Sequence, residues 1–386
     1  MIQPQDLTRP PVTLDHESTL VVVIEMSQAS WLVAAIVPGV ERRPLQKLKP
    51  DHEALLRLLA RWRDEAAKAG KPVSRTAVAY EAGRDGFWLA RWLQHRGVEA
   101  HVIHPNSVAV SREGRRAKTD RLDTTLLMRA FLGWLRGEPA HCGMAAVPSL
   151  ADEDGRRPSR EREYLVGEQT RLVNRLKAAL ARLGIRGVKP TLKKTAERLE
   201  ALRTPDGEPI PPNTLLEMRR DLKRLGVVRE QIGAIETARC ERRERAPDHG
   251  PDAMIRLIAR IRGIGVETAD MLVREVLVRN LRDRRAVARY AGLTGTPDES
   301  GTRRREKGLS NSGNARVRRG MIQLAWRFLL FQQDSALARW YRLRTEGAKG
   351  GVRKTLIVAL AQKLLIDLWR LGVSGQVPEG VVLQPV

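Results

Sequence analysis

TLVVVIEM (Thr19–Met26) is a β-branched apolar run, and WLVAAIV (Trp31–Val37) is a second, with only the polar Ser27–Ser30 between them. Two such runs on so short a connection predict a β-hairpin. Glu25 stands near the end of the first run. Working outward, residues 51–69 place Leu55, Leu56, Leu58, Leu59, Trp62 and Ala66 at helical spacing, with Pro72 as the stop. TAVAY (Thr76–Tyr80) is a short strand that delivers Glu81 at its end. A helix over Phe87–His95, a strand over Ala100–Ile103 and a helix over Asp120–Leu135 follow. Hairpin, helix, strand, helix, strand, helix is an α/β order on a mixed sheet.

The character changes near residue 150. Ala151–Arg160 is polar, contains Gly155 and Pro158, and reads as a boundary. Glu161–Leu183 and Leu215–Arg245 are long amphipathic patterns around the Pro-rich Thr204–Asn213, which predicts a helical hairpin or coiled coil. Its apolar stripes can close on each other or on a second copy. The remainder is mostly helical, with Gly263-Ile-Gly265 between two apolar helices and a Gly/Ser/Arg-rich loop over Arg303–Arg319. The reading is therefore α/β plus α, in three parts: 1–150, 151–250 and 251–386.

Of 386 residues, 69 are Lys or Arg and 45 Asp or Glu, a net charge of +24. Such an excess in a chain that is 42% hydrophobic points to a folded protein with a polyanionic partner, because phosphate backbones reward many cationic contacts. Two cysteines exclude a disulfide framework and a cysteine-rich zinc module. No secretory leader is evident, and no apolar run approaches the ~20 residues of a membrane span. No membrane role and a cytoplasmic location are the expectations. The histidines show no metal-ligand spacing.

Three constellations carry chemistry. Glu25, Glu81, Asp120 and Asp123 place carboxylates at two strand ends and on one face of a helix start. Hard cations such as Mg²⁺ use oxygen donors of this kind, although Asp120 alone could cap its helix and Asp123 could pair with Lys118 or Arg121. Gly263 and Gly265 resemble a helix–hairpin–helix turn that lets backbone N–H groups approach a DNA phosphate; packed helices use the same turn. Gly301–Gly320 carries seven basic residues, Arg303, Arg304, Arg305, Lys307, Arg316, Arg318 and Arg319, against Glu306. Ser310 and Ser312 sit among them, either as a nucleophile surrounded by guanidinium groups or as caps of the next helix.

In order, YEAGRDGFWLARWLQHRGVEAHVIHP, KTDRLDTTLLMRAF, RIRGIGVETADMLV, RYAGLTGTPDESG and GLSNSGNARVRRGMIQLAW resemble the IS-one-ten-type, or DEDD, insertion-sequence transposases. The likeness covers roughly residues 19–140 and 250–345, and KTDRLD and SNSGNARVRRG are its most specific parts. It implies a RuvC-like, RNase-H-fold N-terminal domain whose acidic tetrad binds Mg²⁺, a coiled coil used in assembly, and a C-terminal transposase domain with a catalytic serine. Glu81, Asp120 and Asp123 match the second, third and fourth acids. Ser310 matches the serine in its Ser-x-x-Gly-Asn context with Asn314, and Ser312 is its neighbour. The first acid, usually Asp, is Glu25 here, and the Lys common after that strand is missing.

The resemblance further implies that Ser310 attacks a DNA phosphodiester to form a phosphoserine link, that a non-coding guide RNA pairs with element and target DNA, and that the protein works as a homo-oligomer, a dimer or tetramer. The competing readings are a RuvC-like Mg²⁺-dependent nuclease using water alone, and a non-catalytic RNA/DNA-binding protein whose Glu25 marks a decayed metal site.

Overall fold

In the computed structural model the first strand, β1 (Thr19–Met26), pairs antiparallel with β2 (Trp31–Ile36), Val21 opposite Ile36. The Ser27 hydroxyl closes the turn, donating to Ser30 O at 2.7 Å and accepting from Ser30 N at 3.0 Å. The described residues are 10, 12–83, 85–108, 120–138, 141–192, 194–279, 281–300, 303–309, 312–348 and 350–384; the side chains of 106, 120, 196, 297–300 and 303–307 lie outside that description. An edge strand, β3 (Leu45–Leu48), adds to β2; its LQKL is too short and polar for alternation to reveal it. Helix α1 (His52–Lys68) starts on the Asp51 carboxylate, which accepts from Glu53 N and Ala54 N at 2.9 and 3.1 Å. It ends at Lys68 rather than at Pro72, because Gly70 takes φ +77° and stops the helix first.

The chain continues through β4 (Arg75–Glu81), α2 (Trp88–Gln94), β5 (Glu99–Ile103), α3 (Asp120–Leu135) and the two-residue β6 (Met144–Ala145), the last also not predicted. The sheet order is β3-β2-β1-β4-β5-β6, with β4 and β5 parallel to β1 and β6 antiparallel to β5. Successive residues feed opposite faces, as pleating requires. Leu20, Val22 and Ile24 join Val78, Tyr80, α1 and α2 in one core. Val21 and Val23 join Ala77, Ala79 and the α3 residues Leu127, Phe131 and Trp134 in the other. A mixed sheet between helices results.

The backbone divides into two compact units, Met1–Leu150 with Arg279–Arg282, and Ala151–Val278 with Asp283–Val386. In the second, α4 (Leu150–Arg182) runs unbroken through Gly155 and Pro158, where the sequence predicts a polar boundary. Tertiary contacts override the local breakers. Arg156 and Ser159 are buried, and Arg156 Nε donates to Arg274 O at 3.1 Å. After a short α5 (Thr195–Arg198), α6 (Pro212–Arg245) returns antiparallel to α4, tied by Arg162 to Glu236 and Arg175 to Asp221. Leu165, Leu172, Leu176 and Leu180 share a core with Met218, Leu225 and Val228. The apolar stripes thus close on each other within the chain.

Helices α7 (Gly250–Ala259) and α8 (Val266–Leu272) flank the Gly263–Gly265 turn, and α8 runs into a π-helical turn over Val273–Leu277. After α9 (Arg284–Tyr290), the first part of the expected Arg-rich loop is strand and its last residues open a helix: β7 (Gly295–Ser300) pairs antiparallel with β8 (Arg303–Leu309). The register sets Asp298 opposite Arg305 and Glu299 opposite Arg304. Helices α10 (Ala315–Phe331), α11 (Ala336–Thr345) and α12 (Gly350–Ser374) complete the unit. Among the described residues no helix is long and apolar enough to cross a membrane.

Candidate active site

Glu25 and Glu81 occupy equivalent places on adjacent parallel strands, one step beyond the registered pair Ile24 and Tyr80. Strand order reverses between β1 and β4, and the crevice beyond the carboxyl ends of strands at such a switch point is where open α/β sheets bind ligands. By pleat alternation both glutamates continue the face that carries Val21, Val23, Ala77 and Ala79, the face covered by α3. Both line a cleft of about 210 Å³ with Met26, Ser27, Gln28, Gly83 and Asp85. Asp85 is an acid that sequence reasoning missed, because a lone Asp in a Gly-flanked turn reads as turn chemistry.

The Leu14 N–H donates to Leu135 O at 3.0 Å, so the end of α3 lies beside the segment entering β1. Helix α3 therefore begins, at Asp120, toward the carboxyl ends of β1 and β4. Asp123 is half-buried one turn in and stands outside the described cleft lining; the Asp120 side chain is outside the described residues. Among the described residues no three His, Cys, Asp or Glu side chains gather into a metal cage.

The second unit holds the other constellation. Ser310 lies outside the described residues, and so do the side chains of Arg303, Arg304, Arg305 and Lys307, whose backbone forms β8. The segment just after Ser310 is tightly seated. Gly313 has φ +85°, and a Cβ there would sit 2.6 Å from Gly292 N, 2.7 Å from Arg289 O and 2.8 Å from Tyr290 O. Asn314 N donates to Tyr290 O at 2.7 Å, and Arg318 Nη1 donates to Ser312 O at 3.0 Å. Asn314, rather than a serine, caps α10: its Oδ1 accepts from Arg316 N at 3.1 Å and Val317 N at 3.3 Å.

Asn314 also points to the residue that sequence reasoning missed, Glu275. This carboxylate is fully buried in the π-helical turn. It accepts from Arg160 Nε and Nη2 at 2.8 and 2.9 Å, from Arg316 Nη1 at 2.9 Å and from Asn314 Nδ2 at 3.3 Å. Burial pushes its carboxyl upward, but the hydrogen bonds and charges of Arg160 and Arg316 outweigh that and hold it below the ordinary carboxylate range. Arg316 further donates to Ser159 Oγ at 2.8 Å and pairs with Glu163, which also takes Arg319 Nη2 at 2.8 Å. The available signal was an acid in the apolar run MLVREVLV.

The Gly263 turn carries a packing explanation of its own. Gly263 has φ +92°, and a Cβ there would meet the Phe331 side chain at 2.8 Å. Arg327 Nη2 donates to Gly263 O at 2.7 Å, and Gly265 stands at the N-cap of α8.

Comparison with known proteins places residues 255–341 on the profile described as the Transposase IS116/IS110/IS902 family. Over 374 residues, 94% of each chain, this chain is 41% identical to y4rJ of Sinorhizobium fredii (strain NBRC 101917 / NGR234), a protein named provisionally as a transposase.

Proposed function

The chain belongs to the IS116/IS110/IS902 family of transposases and is a DNA transposase/recombinase, and on that premise we propose that it moves insertion-sequence DNA by serine attack on a phosphodiester, assisted by a strand-end carboxylate site. The observation that carries this reading is the convergence of Glu25 and Glu81 on one cleft at the switch point of a mixed sheet. That layout supports a RuvC-like, RNase-H-type role for the N-terminal unit. Mg²⁺ is commonly held by one or two carboxylates plus waters and substrate phosphates, so the two glutamates fit its donor needs, and the start of α3, with Asp120 and Asp123, lies toward the same strand ends. When bound, the ion would stabilise charge on the phosphodiester oxygens.

The remaining work falls to the chain's own residues. The Ser310 Oγ forms the new bond to phosphorus as the deoxyribose oxygen leaves, and the hydroxyl proton passes to a base. Gly313, Asn314 and Arg318 support this reading by fixing the backbone that follows the serine. The basic excess with 4% aromatic residues suits a protein that grips phosphate backbones while a non-coding guide RNA reads sequence by pairing. Leu216 and Val227 of α6 remain exposed and support assembly into a dimer or tetramer through the hairpin. The test is Ser310→Ala. A denaturant-resistant protein–DNA adduct should form in the parent and in Ser312→Ala, and disappear with element excision in Ser310→Ala. If Ser310→Ala recombines normally while Glu81→Gln does not, the water-using nuclease reading replaces this one.

A further inference from the structure

Helices α4, α8 and α10 enclose a cleft of about 390 Å³. Arg162, Arg316, Arg319 and Arg327 line it, together with the acids Glu163 and Glu267. Arg316, Arg319 and Arg327 are spread over eleven residues of α10, about 16 Å at 1.5 Å per residue. That length matches on the order of five nucleotides of a strand rising 3.4 Å each. Gly320 lets Met271 of α8 pack close against α10, since a Cβ there would meet the Met271 Sδ at 2.7 Å.

The two carboxylates that hold Arg316 differ in kind. Glu275 is fully buried, whereas Glu163 is 44% exposed and also holds Arg319, itself 64% exposed. The Glu163–Arg319 pair is exposed on both sides, and such pairs contribute little because water already solvates both partners; Arg316, only 18% exposed, keeps its bonds to Glu275 and Ser159 when Glu163 leaves. The two non-bridging oxygens of a phosphodiester can take two parallel N–H bonds from one Arg, as a carboxylate does.

We propose that this cleft is a track for a phosphodiester backbone, and that Glu163 occupies the guanidinium groups of Arg316 and Arg319 until a phosphate displaces it. Glu275 then keeps Arg316 in place while Glu163 swings out. Arg319 and Arg327 hold further phosphates along the same strand, about 12 Å apart at 1.5 Å per helical residue. The proposal takes from the preceding section only that the ligand is nucleic acid.

The experiment measures equilibrium binding of the full-length protein to labelled 20-nucleotide single-stranded DNA, the matching duplex and an RNA hairpin, each across a salt series. Glu163→Gln should lower Kd about two- to fivefold with the salt slope unchanged, because one carboxylate competing for Arg316 and Arg319 is removed. Glu230→Gln, the same charge change on an exposed site of α6, should leave Kd as in the parent. Arg319→Ala should reduce the salt slope by about 0.9 for duplex or 0.7 for single strands. Whichever probe shows both effects identifies the backbone as DNA or RNA. Equal tightening by Glu230→Gln, an unchanged Kd for Glu163→Gln on every probe, or an unchanged slope for Arg319→Ala overturns the proposal. Loss of the Ser310 adduct reading leaves these binding results intact, so the two failures are separable.

Discussion

The two units place carboxylates in opposite circumstances. In the first, Glu25 and Glu81 stand side by side at the ends of parallel strands, lining a cleft together with Asp85. In the second, Glu275 is sealed from water and surrounded by Arg160, Arg316 and Asn314. One arrangement gathers like charge around open space; the other spends its charge on arginines inside the protein. A net charge of +24 hides this division. Part of the arginine that composition assigns to a polyanion also serves the fold: Arg160 and Arg316 hold Glu275, and Arg239 is buried beside Glu267 and Asp270.

The contrast predicts opposite outcomes for similar substitutions. Glu81→Gln should reduce excision on the order of 10³-fold, about 4 kcal/mol of barrier, if it removes a metal donor. The same change should leave the denaturation midpoint within about 0.5 kcal/mol, because Glu81 is exposed. Removing Glu275 with alanine should destabilise the fold by about 3–5 kcal/mol, since two arginines lose their buried partner; urea melts of both variants read this directly. A stable Glu275→Ala or an unfolded Glu81→Gln would erase the distinction.

How far each region can be read from sequence follows from the same physics. Glu25, Glu81 and the start of α3 were legible because β-branched runs and helical periodicity are local signals, and the ends of elements show where side chains stop being core. Glu275 was not. Its partners come from residues 160, 314 and 316, so the reason for an acid in an apolar run lies more than a hundred residues away on one side. For the same reason α4 passes through Gly155 and Pro158, held by Arg156 and Ser159. Strand β8 was read as loop because RRREK has no apolar alternation, and its partner β7 is eight residues back in a GTPDES stretch that also carries no strand pattern.

Gly313 offers an intermediate test. Gly313→Ala must carry a side chain at φ +85° and push three backbone atoms that lie within 2.8 Å of the new Cβ. Backbone strain alone should cost about 1–3 kcal/mol. Hydrogen exchange should rise first at Asn314 N and then along the start of α10. Adduct formation should fall in parallel if this seat holds Ser310 for attack, and loss of stability with undiminished adduct yield would separate the seat from the chemistry.

The smallest effect comes from the opposite end of the sheet that carries the cleft, and it sharpens the comparison within one unit. At the amino ends of β4 and β5, Arg75 Nε and Nη2 donate to Glu99 at 2.7 and 2.8 Å, and His101 Nε2 lies 2.8 Å from the same carboxylate. Burial would raise this carboxyl, but the hydrogen bonds from His101 and Arg75 prevail and bring it down to about 2 from an ordinary 4.5. A folded value below the unfolded one means the contribution is complete above about pH 4.5 and is lost as pH falls through about 2. The full gap corresponds to about 3 kcal/mol, and because Glu99 is 28% exposed, water screening leaves about 1–2 kcal/mol. Urea midpoints from pH 6 to pH 2 should therefore fall more steeply for the parent than for Glu99→Gln. Identical slopes would mean that Arg75 and His101 stabilise no charge there.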